Sequence, residues 1–348
     1  MKSLYVADLP QQENQLITSF FLVQSKSLRS TREGKPYLAL RLADRTGTVE
    51  ARMWEEAAEV EPEFDQHDVV KVEANVEPYR NQLQLKIRRL RRARAEEVEL
   101  EDYLPHTAQD VEALYAELLE VARGLANPHL RALLLAVLDD PEVRPRLKRA
   151  PGAKTIHHAY IGGLLEHIVS LCRLCRLVVQ NYPEVDLDLL LTGAVLHDLG
   201  KIYELSYDRS LDYTTEGNLL GHIALAQDLL TRKMDSIEGF PPRLRSLVLH
   251  LLLSHHGRLE FGSPVTPKVR EAVLLHYLDD LDSKMEAVRS SLAAADAAAR
   301  EGDWTEWNRA LERPLLRREQ FLAGETPPEP APPQSESGSL FDPKPTKK

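Results

Sequence analysis

The sequence predicts a multidomain chain of α and β structure, with a small β-barrel at the N-terminus and an all-α bundle after it. Two changes in pattern indicate this division. Apolar and polar residues alternate with period two over residues 16–92, and a helical period replaces the alternation from about residue 109. The last residues, 324–348, are rich in Pro, Ser and charge, so we expect them to form a disordered tail.

Five short apolar segments make up the predicted barrel. They are rich in Val, Ile, Leu and aromatic residues, and turn signals such as 33-EGKP-36 and 44-DRTG-47 separate several of them. A closed barrel is favoured because closure removes the exposed edges of an open sheet. The predicted strands are 16-LITSFFLV-23, 37-YLALRLA-43, 48-TVEARMW-54, 69-VVKVEANV-76 and 83-LQLKIRRL-90.

The helical part begins at about residue 109. Its segments repeat apolar residues at helical spacing and are separated by Pro, Gly and charged residues. The predicted helices are 109–124, 127–139, 158–181, 187–198, 219–235, 243–256, 267–298 and 304–321.

The charge is unevenly distributed. The whole chain has a net charge of −10, which argues against a generally cationic nucleic-acid-binding protein. Residues 1–95, however, carry 16 Lys and Arg against 14 Asp and Glu, and the excess is concentrated in 86-KIRRLRRAR-94. This basic run can attract phosphates locally, or it can be an edge strand whose charges deter aggregation.

We expect a cytoplasmic protein. No apolar run is long enough to span a bilayer, and the first residues, MKSLYVADLPQQENQ, contain no signal-peptide core. The two cysteines, Cys172 and Cys175, fall within one predicted helix, without the second ligand pair of a zinc site or the βαβ context of a redox motif. Reduced, partly buried thiols are the favoured interpretation.

Histidines carry the strongest chemical signal. Nine of the 12 lie between residues 157 and 276, and His197 is followed directly by Asp198 after the apolar run 189–196. A buried imidazole and carboxylate need a hydrogen-bond partner, an ion pair or a metal. Neutral imidazole and carboxylate suit Mn, Fe, Zn and related divalent ions, so the cluster predicts a metal site.

These residues fall in a series of short motifs: 164-LLEH-167, 197-HD-198, 221-GH-222, 254-SHHG-257 and 277-YLDDLD-282. In this order the motifs resemble the HD superfamily of metal-dependent phosphohydrolases. The strings 156-IHHAYIGGLLEH-167 and 214-TTEGNLLGHI-223, with the barrel ahead of them, are similar to the YhaM-type 3′→5′ exoribonucleases, which join an OB-fold to an HD domain. The resemblance runs from about residue 12 to 320. It implies an OB-fold domain (1–95), a helical connector (96–155), an HD domain (156–322) and the tail (323–348).

The resemblance also implies a set of metal ligands and two divalent ions, with Mn²⁺ favoured and Fe²⁺, Co²⁺, Zn²⁺ and Mg²⁺ as alternatives. The four superfamily ligands would be His167, His197, Asp198 and Asp279, with Asp198 bridging both ions. His222, His255 and His256 match the additional ligands of dinuclear subgroups. Lys201 would act with Asp198 in catalysis by touching a phosphate oxygen, or it would be a solvated lysine at a helix end.

Several nearby residues have two interpretations each. His157 and His158 match the family string and would support a ligand or contact substrate, unless they form a helix N-terminal surface. Asp282 is given a supporting role beside Asp279, and Asp280 a solvated one. For His276 a supporting role and a core role are equally favoured. His250, within LVLHLLL, is expected to be a core histidine.

The OB-fold would bind single-stranded nucleic acid by stacking bases on aromatic rings while cations follow the backbone. Phe20 and Phe21 are adjacent and face opposite sides of a strand, so at most one of them can stack on a ligand. Trp54 is a further aromatic residue beside a strand. The favoured substrate contacts are Tyr37, Tyr79 and Arg80, which lie close to turns. Alternatively, the barrel only docks against another subunit.

The sequence therefore predicts an enzyme, a dinuclear phosphodiesterase that shortens single-stranded RNA, with single-stranded DNA as a second substrate. The polarity is implied by the resemblance alone. One alternative is an HD phosphohydrolase of free or cyclic nucleotides with a regulatory or oligomerising barrel. RLEFGSP follows 255-HHG-257 without the GYP triplet of cyclic-dinucleotide phosphodiesterases, which disfavours cyclic di-GMP. The other alternative is a non-catalytic RNA-binding protein. A membrane partner is not expected, and a homo-oligomer stays open.

Overall fold

The computed structural model describes residues 2–31, 33–79, 82–99, 102–154, 158–207, 211–297 and 302–323. The chain divides into two compact units, residues 1–286 and the remainder. Within the described ranges, no helix has the length and apolar character needed to cross a bilayer.

The N-terminal part is a closed five-stranded barrel, as the alternating pattern predicted. Its order is β1-β2-β3-β5-β4, and β4 pairs with β1 to complete the circle. Inward residues such as Phe21, Leu38 and Val72 are fully buried. The strands are β1 (Leu16–Ser30), β2 (Pro36–Asp44), β3 (Gly47–Met53), β4 (Val69–Tyr79) and β5 (Gln82–Arg92).

Two features close the barrel. The long strand β1 has a register shift between Val23 and Ser25, so that its first half pairs with β4 and its second half with β2. Such a bulge bends a strand and increases its twist, which lets one strand serve both neighbours. A parallel pairing of β3 with β5 over Glu50–Met53 completes the ring. A five-stranded OB-fold barrel is therefore confirmed.

The helices after the barrel form the predicted α-helical bundle, and every predicted helix except the last is present. Asp110, Asn127 and Asp186 cap helix N-termini by accepting hydrogen bonds from backbone N–H groups. The helices of both units are α1 (Ala57–Val60, beside the barrel), α2 (Val111–Arg123), α3 (Pro128–Leu138), α4 (Val143–Arg149), α5 (Gly163–Val178), α6 (Leu187–Leu196), α7 (Lys201–Glu204), α8 (Thr215–Asp235), α9 (Pro242–Ser254), α10 (Arg270–Ala297) and α11 (Arg318–Ala323).

The predicted connector is part of the bundle rather than a spacer. Leu118 of α2 and Leu133 of α3 belong to the same buried core as Ile168 of α5 and Leu196 of α6. Apolar faces of α2 and α3 would be exposed without α5, so these helices fold together with α5 and α6. The domain boundaries otherwise stay predictions.

The predicted helix 304–321 is wrong over most of its length. Trp304 forms an isolated bridge with Leu316, and Asn308 forms one with Arg313, so this segment folds back on itself. Pro314 explains the difference, because proline lacks an N–H and clashes with the preceding helical turn. Only Arg318–Ala323 is helical. Nearly all of the predicted tail lies outside the described residues.

Candidate metal centre

The His197–Asp198 pair lies at the end of a helix that is buried on all sides. Every residue of α6 from Leu189 to Leu196 is buried, and His197 is the C-cap with no exposed surface. Asp198 is 4% exposed. The apolar run therefore places both polar side chains in the interior, where they must be paired.

A first set of donor atoms meets around His197. His167 Nε2 lies 3.4 Å from His197 Nε2 and 3.2 Å from Asp279 Oδ1, and His197 Nε2 is 3.7 Å from that oxygen. The three side chains come from α5, the end of α6 and α10, which lie far apart in the sequence. The fold thus brings together three of the four predicted superfamily ligands.

The other ring nitrogens of this set are already engaged. His167 Nδ1 donates to Asp282 at 2.8 Å, and His197 Nδ1 donates to the Ala194 carbonyl at 3.0 Å. These tautomers leave two Nε2 lone pairs facing each other, and two acceptors cannot satisfy one another. The arrangement fits a cation, or a proton, between them.

A second set lies on α8 and at the end of α9. His222 Nδ1 donates to Glu204 at 3.2 Å, and His255 Nδ1 donates to the Leu252 carbonyl at 2.7 Å. His222 Nε2, His255 Nε2 and His256 Nδ1 are buried and have no hydrogen-bond partner among the described residues. One ring nitrogen from each of these three histidines lies within 4.8 Å of the others, a spacing that fits one metal ion.

Asp198 lies between the two sets. Its Oδ2 is 3.4 Å from His197 Nε2, whereas its Oδ1 is 3.4 Å from His222 Nε2 and 3.6 Å from His255 Nε2. Two ligands about 2.1 Å from one ion at tetrahedral or octahedral angles are roughly 3.0–3.5 Å apart. Two of the separations around Asp198 are 3.4 Å and fall within that range, and the third, at 3.6 Å, lies just above it.

His197 of the first set and His255 of the second have pKa values shifted in opposite directions. Burial opposes a charged imidazole, yet Asp198 and Asp279 raise the pKa of His197 to about 10. Burial and the neighbouring His197 instead hold the pKa of His255 well below its usual value. Burial alone would raise the pKa of Asp198, but Lys201 and His197 keep it well below the usual value. The Asp198 carboxylate is therefore ionised.

Lys201 is buried at the centre. Its side chain is 13% exposed, and Nζ lies 2.6 Å from Asp198 Oδ2. The alternative of a solvated lysine at a helix end is therefore wrong. The ammonium contributes positive charge beside the Asp198 carboxylate.

Supporting residues surround the first set. Asp282 accepts hydrogen bonds from Ser170 at 2.6 Å and from His167, and its other ring neighbour, His158 Nε2, is 3.2 Å away. His158 is 3% exposed, which excludes the surface role and matches the supporting one. His157 lies outside the described residues. Asp280 pairs with Lys284 on the exposed side of α10, as expected.

The two remaining histidines are held by the backbone. His276 Nδ1 donates to the His255 carbonyl at 3.0 Å, which gives it a supporting contact. His250 is half-buried rather than a core residue, and its Nε2 accepts from the Lys268 backbone N–H at 2.9 Å.

The barrel carries a cluster of aromatic rings around one arginine. Tyr37 stacks on Trp54 with ring centroids 4.7 Å apart, and the Arg52 guanidinium lies within 6.0 Å of the Tyr37, Trp54 and Tyr79 ring centroids. Trp54 and Tyr79 are each 42% exposed, whereas Phe21 is fully buried. Two predicted contacts, Tyr37 and Tyr79, thus share one face. Arg80 lies outside the described residues.

Three of the six cations in the basic run 86–94 pair with neighbouring acids. Arg91 forms a bidentate pair with Glu97, and Arg92 lies 2.8 Å from Asp68. Lys86 lies 3.7 Å from Glu77. The run therefore provides less free positive charge than its sequence suggests.

Two family models match the chain. The HD domain matches residues 164–284, and the OB-fold nucleic acid binding domain matches residues 22–93. A 3′-5′ exoribonuclease YhaM of Geobacillus sp. (strain WCH70) is 35% identical over 294 residues, which is 84% of this chain and 89% of the relative. The YhaM of Bacillus subtilis (strain 168) is 33% identical over 306 residues, 88% of this chain and 95% of the relative.

The chain belongs to the YhaM 3′-5′ exoribonuclease family. The resemblance expected from the sequence motifs is confirmed. Membership gives this YhaM relative a metal-dependent hydrolase domain that binds divalent cations and a domain that binds nucleic acid. The unpartnered imidazole nitrogens beside Asp198 fit such a cation.

The sequence motifs gave no role to three residues that hold the donor atoms in place. Glu204 and Ser170 lie outside every histidine and HD motif, whereas Gly221 is part of 221-GH-222 and kinks the helix just before His222. Gly221 has φ 71° and ψ 159° within α8, a conformation that glycine alone adopts readily. The glycine before His222 was the available signal.

Proposed function

We propose that this chain is a cytoplasmic metal-dependent 3′→5′ exoribonuclease that shortens single-stranded RNA to mononucleotides, with single-stranded DNA as a second substrate. The observation that carries this proposal is Asp198, whose two oxygens face two separate groups of buried imidazole nitrogens. This geometry is suited to two cations that share one carboxylate.

One cation would be held by His167, His197, Asp279 and Asp198 Oδ2, and the other by His222, His255, His256 and Asp198 Oδ1. Bound divalent cations, with Mn²⁺ favoured, neutralise phosphodiester charge and lower the pKa of a coordinated water. Asp282, Ser170 and Glu204 fix the histidine rings, so that Nε2 of His167 and His222 already points inward.

Lys201 supplies positive charge to the same site. Burial opposes its charge, but Asp198 raises the pKa of Lys201, so the ammonium stays protonated. It holds Asp198 in orientation through the 2.6 Å contact and would also attract a nonbridging phosphate oxygen of the substrate. Both roles require the positive charge at this position.

The barrel would hold the strand during successive cleavages. Exposed Trp54 and Tyr79, with the Arg52 guanidinium near both rings, offer flat surfaces for bases and a cation for the backbone. Stacking of this kind tolerates any base, which suits an enzyme that removes nucleotides one after another.

Incubation of the protein with Mn²⁺ and a 5′-end-labelled single-stranded RNA tests the proposal. We expect a ladder of progressively shorter labelled products together with released mononucleotides. D198A should abolish the ladder, whereas D280A, which alters an exposed neighbour of a ligand, should retain it. A 3′-end label should be released at the first step.

Intact RNA alongside hydrolysed free or cyclic nucleotides would overturn the proposal and favour an HD phosphohydrolase with a regulatory barrel. RNA that is bound but not shortened under any divalent cation would favour the non-catalytic alternative.

A further inference from the structure

We propose that a basic groove between the barrel and the helical bundle carries the phosphodiester backbone of RNA from the barrel toward the metal centre. This inference rests on the proposed exoribonuclease function and names the route that the substrate takes. The groove is defined by two adjoining cavities within residues 1–286.

The larger cavity has a volume of about 520 Å³ and the smaller about 330 Å³. Pro145, Arg149 and Tyr207 line both, so the two cavities form one groove. Residues of α4 line both cavities, so this helix forms one side of the groove.

The groove is lined by basic side chains, although the chain as a whole has a net charge of −10. Arg45 and Lys148 line the larger cavity, Arg146 lines the smaller one, and Arg149 lines both. Glu112 is the acidic residue lining the groove, and it neutralises Lys148 at 2.5 Å. The remaining cations are arginines, which suit phosphate because the guanidinium forms bidentate hydrogen bonds.

These arginines are accessible. Arg149 is exposed, contacts the Tyr207 ring at 5.7 Å, and forms no ion pair with a carboxylate of the described residues. The Arg146 side chain is 45% exposed, and its nearest carboxylate oxygen, on Glu142, is as far as 3.8 Å away. The Arg45 side chain is 36% exposed, and its guanidinium lies 4.0 Å from the Asp102 carboxylate. Long, exposed pairs of this kind contribute little and are easily exchanged for a phosphate.

The ends of the groove give its direction. Arg45 lies in the turn between β2 and β3 of the barrel. At the other end, the smaller cavity is lined by Leu205 and Thr214. The Thr214 backbone N–H donates to the Glu204 carbonyl at 2.9 Å, and the Glu204 carboxylate accepts from His222. The groove therefore runs from the nucleic-acid-binding domain to the wall of the metal centre.

The test compares a double variant, R146A with R149A, against R144A. Arg144 lies on the same short helix but over the Tyr115 ring at 5.6 Å, and it does not line either cavity. Binding of fluorescent RNA of 2 and about 12 nucleotides is measured in EDTA over a range of salt concentrations. EDTA prevents cleavage, so affinity is obtained independently of catalysis.

We expect the double variant to bind the longer RNA roughly tenfold more weakly, and its log-affinity slope against log salt to fall by about 1.4, since each single-strand phosphate contact contributes about 0.7. The dinucleotide should bind as it does to the wild type. R144A should match the wild type with both RNAs.

An unchanged slope in the double variant would overturn the groove, as would an equal loss with R144A or an equal loss with the dinucleotide. If the wild type shortens RNA with Mn²⁺ but the double variant keeps its salt slope, the groove fails while the proposed function stands. If the wild type does not shorten RNA, the proposed function fails regardless of the binding result.

Discussion

His222 shows how a single imidazole is prepared for a cation. Its backbone N–H and Nδ1 both donate to Oε1 of Glu204, at 3.0 and 3.2 Å, which fixes the ring and leaves Nε2 without a hydrogen-bond partner. Sequence motifs identify His222 itself. Glu204 lies 18 residues away on another helix, so its role depends on how α7 packs against α8 and could not be predicted from local pattern.

Replacement of Glu204 by alanine should therefore remove one of two bound ions and lower activity about 10- to 100-fold, as expected for loss of an outer-shell partner. E204Q retains an acceptor oxygen, so it should recover most of the metal content and most of the activity. Metal content by mass spectrometry after dialysis, together with turnover of RNA, provides the measurement.

E216A is a suitable control for that experiment, since Glu216 is an exposed acid in the first turn of α8. A fully loaded E204A protein with wild-type turnover would show that Glu204 does not position His222.

At the scale of elements, the position of His222 depends on the kink in α8 as well as on the helix itself. Sequence periodicity predicted a helix over 219–235, and α8 begins earlier, at Thr215, with a break at Gly221. Periodicity cannot show such a break, because the residues on both sides still repeat at helical spacing. The predicted helix 304–321 is wrong for a different reason. Apolar residues recur there at helical spacing, but Pro314 prevents a continuous helix.

G221A should lower stability by about 1–3 kcal/mol, the usual cost of this backbone conformation for a residue with a side chain. An added Cβ would meet only Glu204 Oε1 at 3.9 Å, so the effect arises from the backbone and not from a clash. We also expect weaker metal binding, because a changed backbone at residue 221 would displace His222. Thermal unfolding and metal titration measure the two effects.

Gly239 provides a matched control, because it also has a positive φ of 68° and has no atom within 4 Å of an added Cβ. G239A should lose stability but keep its metal affinity. Equal metal affinities of G221A and the wild type would contradict the positioning role of the kink.

The barrel strands were predictable because one face is buried, which enforces alternation along each strand. The aromatic cluster was only partly predictable. Tyr37 and Tyr79 were expected as contacts, whereas the stacking of Trp54 on Tyr37 results from pairing of β2 with β3 and is a property of the sheet.

W54A should weaken binding of single-stranded RNA by about 1–3 kcal/mol, the usual contribution of one stacked base. W307A removes another exposed tryptophan, and its affinity should stay at the wild-type value. Fluorescence anisotropy with labelled RNA in EDTA measures both. A W54A protein that binds RNA as tightly as W307A would exclude this ring as a platform.

At the scale of the whole molecule, the centre depends on the complete bundle. Its proposed ligands come from α5, α6, α8, α9 and α10, and span residues 167 to 279. The order of motifs predicted which side chains meet. The distances between them, and the tautomers that leave Nε2 unpartnered, follow from tertiary packing and were accessible only from the structure.

Divalent cations should consequently stabilise the whole bundle. An ion at 100 times its dissociation constant contributes about 2.7 kcal/mol to the free energy of unfolding if it binds only the folded chain. We expect Mn²⁺ to raise the melting temperature by roughly several degrees relative to EDTA. D198A should show little response, and D280A a full one. A wild-type melting temperature unaffected by millimolar Mn²⁺ would contradict this linkage.

The most direct test is anomalous diffraction at the manganese edge from crystals grown with Mn²⁺. We predict two peaks on opposite sides of the Asp198 carboxylate, one among His167, His197 and Asp279. The second should lie among His222, His255 and His256. A map with no peak beside Asp198, or with a single peak bound by one of its oxygens, would contradict the shared dinuclear centre.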